Sequence, residues 1–149
     1  MAIIFYTEEV KWPAFLKKRA LGKWLGDVAA SYGKRTGAVS YLFCTDEKIL
    51  EVNRCFLQHD YYTDIITFDY TEGDVLSGDL YISLETVRSN SEQFRTTFEE
   101  ELLRVIIHGI LHLCGLKDKS AAEQAKMRAA EEQALRLFLR NGDNLKETR

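Results

Sequence analysis

Arg104-Val105-Ile106-Ile107-His108-Gly109-Ile110-Leu111-His112-Leu113-Cys114-Gly115-Leu116-Lys117-Asp118 is the stretch on which the fold turns. Its side chains suited to hard or borderline metals are His108, His112 and Asp118. An i, i+4 pair lies on one face of a helix, so the two imidazoles are placed to grip one ion. Gly115 supplies a helix stop, because glycine tolerates the left-handed conformation that ends helices, and three further residues let Asp118 fold back toward the pair. The bland alternative is two satisfied core histidines. In an otherwise aliphatic helix, however, each would need its own buried hydrogen-bond partner. Cys114 is the obvious fourth donor but points to another helix face. Three protein ligands leave a coordination position open, which is the arrangement of a catalytic rather than a structural zinc.

The spacing H-x3-H-x2-G-x2-D is close to the extended zincin pattern. Zincin proteases place Glu directly after the first His as general base, and this chain has Gly109 there. A zinc-dependent peptidase therefore lacks its usual proton acceptor and becomes the alternative.

The segment resembles the H-G-x-L-H-L-x-G-Y-D-H signature of the YbeY family, bacterial metal-dependent endoribonucleases. His108, Gly109, Leu111, His112, Leu113 and Gly115 match position for position. Thr63-Asp64-Ile65-Ile66-Thr67-Phe68 resembles the family's T-D-V-L-S-F block, and Ser77-Gly78-Asp79-Leu80-Tyr81-Ile82-Ser83 its G-D-I-x-I-S block. The resemblance implies a single-strand-specific endoribonuclease acting in small-subunit ribosomal RNA 3′-end maturation and ribosome quality control. It also implies one divalent ion, contacts with the ribosome or translation-related proteins, and a small mixed sheet with the two histidines on a central helix. Asp118 stands where the family usually has its last His. Carboxylate oxygen still suits zinc, and two His with one carboxylate also suit nickel, iron or manganese. Leu57 occupies the position of a family arginine, and Arg54, one helical turn earlier, is the candidate to replace it.

Length and composition agree. A chain of 149 residues suits one domain that buries about two-thirds of its unfolded surface. Hydrophobic content of 46% with a single proline argues for little disorder. Cys44, Cys55 and Cys114 are odd in number and lack a CxxC pair, which reads as reduced, mostly core thiols of a cytoplasmic protein. The start of the chain shows no secretion signal, and no apolar run is long enough for a membrane span.

A net charge of −3 is not the footprint of a protein that coats nucleic acid. Residues 11–40 nevertheless carry seven Lys and Arg against Asp27 alone. Lys17, Lys18, Arg19 and Lys23 are thus candidate RNA contacts, with the solvated face of a helix as the equal alternative. Lys117 and Lys119 flank Asp118 and are further candidates for neutralising a phosphate.

Along the chain, Ile3–Tyr6 reads as a strand. Pro13 opens a helix that carries Phe15, Leu21, Trp24, Leu25, Val28 and Tyr32 at helical spacing and stops at Gly33. Ala38–Phe43 is a strand, followed by a helix capped at Thr45. His59–Tyr62 is a loop, Ile65–Phe68 and Gly78–Ile82 are strands, and Asp69–Ser77 is a solvated hairpin loop rather than a calcium site. Ser83 caps a helix over Leu84–Phe94. Thr97-x-x-Glu100 and Ser120-x-x-Glu123 are capping boxes for the metal helix and for a last helix. That last helix places Ala125, Met127, Ala129, Ala130, Ala134, Leu135, Phe138 and Leu139 inward and ends at Asn141-Gly142. Glu101 and Arg104 share a face with His108, where either is a candidate to support that ligand from behind, and read most simply as a solvated pair. Residues 143–149 form a frayed tail.

The fold class expected is therefore α+β, one domain over residues 1–149. Function narrows to three classes: a metal-dependent endoribonuclease, another zinc hydrolase such as a peptidase, or a non-catalytic ribosome-associated metal-binding factor. Direct hydrolysis and attack by the ribose 2′-hydroxyl are both open to the first, and the oligomeric state is not set.

Overall fold

The computed structural model describes residues 3–57 and 63–140. Strands β1 (Ile4–Thr7), β2 (Arg35–Cys44), β3 (Ile65–Asp69) and β4 (Val75–Ser83) form one sheet in the order β1-β2-β4-β3. β1 and β2, and β2 and β4, pair in parallel, while the hairpin partner β3 runs antiparallel along β4. Crossover helices α1 (Lys18–Ser31) and α2 (Asp46–Val52) serve the parallel pairs. A π-helical turn, Asn53–Leu57, extends α2, and helices α3 (Leu84–Phe94), α4 (Phe98–Leu113) and α5 (Ala121–Arg140) follow the last strand. The α+β class and the small mixed sheet agree with the expectation.

Strand alternation divides the sheet into two faces. Tyr41 and Phe43 of β2 and Leu80 and Ile82 of β4 point with Phe5 into the main core, where α1, α4 and α5 lie. The opposite face carries a smaller cluster of Cys44, Ile49, Val52 and Ile66 under α2.

Helix α4 is the central element. Thr97 Oγ1 accepts from the Glu100 amide at 3.0 Å, and three glutamates occupy the first turn, where they complement the helix dipole. Leu102, Leu103, Val105, Ile106, Ile107, Ile110 and Leu111 are buried, each contributing about 1.5–3 kcal/mol by removal from water. The buried Tyr41 hydroxyl donates to the Ile106 carbonyl at 2.6 Å, pinning the helix to β2. At the other end Trp24 Nε1 donates to the Ala134 carbonyl at 2.8 Å, tying α1 to α5.

Four expectations are corrected. The first helix starts at Lys18, not at Pro13. Residues 12–16 instead form a tight buttress, with the Leu16 amide on the Pro13 carbonyl, Trp12 stacked on Phe43 and Phe15 edge-on to Phe98. Tertiary aromatic packing thus accounts for apolar residues that helical spacing also fits. On α5, Ala125, Ala129 and Leu139 face solvent, and the buried stripe is Met127, Glu131, Ala134, Leu135 and Phe138. Glu101 and Arg104 are 6% and 7% exposed, because α5 and the β3 end of the sheet close over that face of α4. Of the three thiols only Cys44 is buried. Cys114 is half-buried and Cys55 exposed on the π-helical turn. The loop expected at His59–Tyr62, the helix end at Asn141-Gly142 and the tail 143–149 lie outside the described residues.

Candidate metal centre

The helix stop expected at Gly115 is built as a Schellman motif. The Leu116 amide donates to the Leu111 carbonyl at 3.1 Å and the Gly115 amide to the His112 carbonyl at 3.0 Å, with Gly115 at φ +106°. This reversal returns the chain along α4, and Asp118 Oδ2 comes to 3.1 Å from His108 Nε2. His112, one turn after His108, lines the same cleft, which has a volume of about 560 Å³. Its far wall is the edge strand β3 with Thr63 and Asp64 just before it, and its lining includes Leu57 and Phe94.

Glu131, to which sequence patterns assign no role, organises His108 from behind. Its Oε2 lies 2.7 Å from His108 Nδ1. An imidazole that donates Nδ1–H to a carboxylate presents Nε2 outward, which is the orientation in which histidines bind metals. Glu131 is 5% exposed, and its other oxygen meets Arg104 Nη1 at 3.4 Å, while Arg104 Nη2 binds Glu132 at 2.6 Å. The buried carboxylate thereby has a cation on one side and a hydrogen-bond donor on the other. Its sequence signal is a Glu set into the inward stripe of α5, four residues after Met127 and four before Leu135.

Burial opposes protonation of His108, but the Glu131 hydrogen bond and the charges of Glu131, Asp118 and Asp64 prevail and raise its pKa. Burial also raises the pKa of Asp64, against the pull of His108 and of two backbone amides. Asn90 Nδ2 of α3 reaches the Asp64 carboxylate at 3.5 Å. Burial likewise raises Glu101, partly offset by Arg104.

Among the described residues no group of three His, Cys, Asp or Glu side chains is gathered closely enough to hold an ion. In kind, the donors of this cleft suit a borderline divalent cation: two imidazoles, one with its Nδ1 engaged by a carboxylate, and a carboxylate within contact of the other nitrogen.

The remaining candidates lie elsewhere. Asn53 and Leu57 of the π-helical turn face the cleft, whereas Arg54 is exposed and not among its lining residues. Lys17, Lys18, Arg19 and Lys23 are exposed on or just before α1, away from the cleft, with Lys18 over the Trp12 ring and Lys23 paired to Asp27 at 3.0 Å. Lys117 and Lys119 point to solvent beside Asp118. Among the described residues the Lys and Arg side chains that do line the cleft are Arg104 and Arg128.

Known proteins match this chain over most of its length. The family model for endoribonuclease YbeY matches residues 5–138. The endoribonuclease YbeY of Bacteroides fragilis is 64% identical over 135 residues, covering 91% of this chain and 96% of the relative. That of Parabacteroides distasonis is 61% identical over 138 residues, covering 93% and 96%. A Thermotoga maritima protein known from a solution structure superposes with a TM-score of 0.63 at 29% identity, covering 93% of each chain. With the family model and relatives above 60% identity matching over nearly the whole length, this chain belongs to the endoribonuclease YbeY family.

Proposed function

We propose that the protein is a metal-dependent endoribonuclease that cuts single-stranded RNA, with ribosomal RNA, in particular the 3′ end of the small-subunit RNA, as its substrate. The observation that carries this reading is the pair His108 and His112 on one turn of α4, with Asp118 at 3.1 Å from His108 and Glu131 engaging His108 from behind. His108 Nε2, the His112 ring and the Asp118 carboxylate would hold one divalent ion, with zinc first and nickel, iron or manganese as alternatives. When bound, such an ion polarises a phosphoryl oxygen and makes water acidic near neutral pH.

The chain's own groups set the rest. Glu131 and Arg104 orient His108, and the aliphatic body of α4 keeps water from that side of the cleft. Asp64, whose carboxyl burial pushes above the ordinary carboxylate range, lines the cleft wall just before β3. A peptidase is disfavoured by position 109, where a Cβ would lie 2.2 Å from Leu80 Cδ2 against the sheet, leaving no room for a general base.

Work on ribosomal RNA would bring the protein to the ribosome and its associated proteins. Three free thiols support a cytoplasmic setting. Among the described residues no helix is long and apolar enough to cross a membrane.

The test pairs elemental analysis with cleavage of a single-stranded ribosomal RNA fragment for wild type and His112→Ala. The expected outcome is about one ion per wild-type chain and loss of both ion and cleavage in a folded variant. Metal loss with cleavage unchanged would remove the ion from the reaction.

A further inference from the structure

We propose that Arg128 is a phosphate-binding residue, gripping the backbone of a single RNA strand where it leaves the main cleft along α5. This rests on the endoribonuclease reading above and adds the contact that lets a polyanion enter this cleft.

Among the described residues the cleft is lined by four carboxylates, Asp64, Glu101, Asp118 and Glu131. Glu131 is offset by Arg104 and Asp118 would be offset by an ion, but an RNA strand meets the repulsion of the others unless a further cation stands at close range. Arginine supplies the cations among the lining residues, and the two arginines differ in availability. Arg104 is 7% exposed, with its guanidinium committed to Glu131 and Glu132. Arg128 is exposed, and among the described residues no hydrogen bond or ion pair ties it down. It feels Glu101 and Glu132 only as charges.

Its position is equally specific. A second hollow, of about 570 Å³, lies between the first turns of α5 and Asp118. It shares His108, Asp118, Arg128 and Glu131 with the main cleft. Arg128 therefore stands where the two join, beside the histidine centre. A strand running through the centre toward α5 passes over it, and the guanidinium fork matches two phosphate oxygens. The basic residues of α1 lie away from this path.

The test measures binding apart from cleavage. Metal-loaded protein is titrated against a fluorescent 2′-O-methyl single strand, checked for integrity afterwards, across a series of salt concentrations. Arg128→Ala is expected to bind about tenfold more weakly and to lower the slope of log affinity against log salt by about 0.7, the share of one phosphate on a single strand. Arg128→Lys should keep most of that slope while losing part of the affinity. Arg136→Ala removes the same charge from an exposed position of α5 outside both hollows and should leave the slope unchanged. Thermal melting checks that each variant is folded.

Equal affinity and slope for Arg128→Ala and wild type would overturn the proposal, as would an equal loss in Arg136→Ala, which would make the effect one of net charge. Cleavage of unmodified RNA by wild type is run alongside. A wild type that neither binds nor cuts RNA brings down the endoribonuclease reading and this proposal together. With a wild type that does both, the variants bear on Arg128 alone.

Discussion

Glu131 decides how His108 presents itself to the cleft. The carboxylate accepts from Nδ1 at 2.7 Å and leaves Nε2 facing Asp118. Glu131→Gln keeps the shape and an acceptor oxygen but removes the charge that makes the ring a better donor. Metal affinity is expected to fall about 10- to 100-fold, read by competition with a chromogenic chelator, while the helical circular dichroism stays that of wild type. Unchanged affinity would make Glu131 a partner of Arg104 alone. The cysteines give a second prediction at this scale. Burial first, and then Glu8, push the Cys44 thiol up to about 12, whereas Cys55 is exposed. Iodoacetamide should therefore modify Cys55 in the native protein and reach Cys44 only on unfolding. Mass spectrometry of the two peptides checks this, and equal native rates would contradict the burial of Cys44.

Among the elements, α4 is held at both ends and along its length. Gly109 faces the sheet, where an added Cβ would also meet Ile65 Cδ1 at 3.2 Å and the Tyr41 hydroxyl at 3.4 Å. Gly109→Ala must push Leu80 aside or lift the helix, and it should destabilise by about 1–3 kcal/mol, seen as a lower urea midpoint. At the far end Gly115 holds φ +106° with open space around it. Gly115→Ala therefore has a backbone cost of about 1–2 kcal/mol. Its larger effect should be on metal binding, because the turn that brings Asp118 back depends on that residue. A variant that lost stability but kept metal affinity would show that Asp118 is positioned independently of the Schellman turn.

For the whole molecule, one contiguous aliphatic and aromatic core runs from Phe5 through the sheet and α4 to Phe138, and no metal is needed to fill it. Chelation should therefore abolish cleavage while lowering the melting temperature only by the linkage to ion binding, and readdition should restore both. Collapse of the fold on chelation would instead favour the bracing role. Much of this architecture is legible in the chain. Capping residues Thr45, Ser83, Thr97 and Ser120 mark helix starts because their side chains bond amides within the next turn, a purely local matter. The spacing from His108 through Gly115 to Asp118 is likewise local, so helix period and one left-handed residue suffice to bring the carboxylate back. The start of α1 is not legible in this way, because Trp12 and Phe15 pack, half-buried, against Phe43 and Phe98, partners far along the chain. The burial of Arg104 and Glu101 and the partnership of Glu131 with His108 are hidden for the same reason. Those contacts exist only once α5 lies across α4, and charge alone does not tell a solvated glutamate from a buried one. The sequence by itself thus determined most helix starts and the return of Asp118 toward His108, which are carried by short-range spacing, while its motif blocks pointed to the family. Tertiary structure alone decided which carboxylate orients the histidine and which arginine is left available at the cleft, because both follow from how separate helices pack.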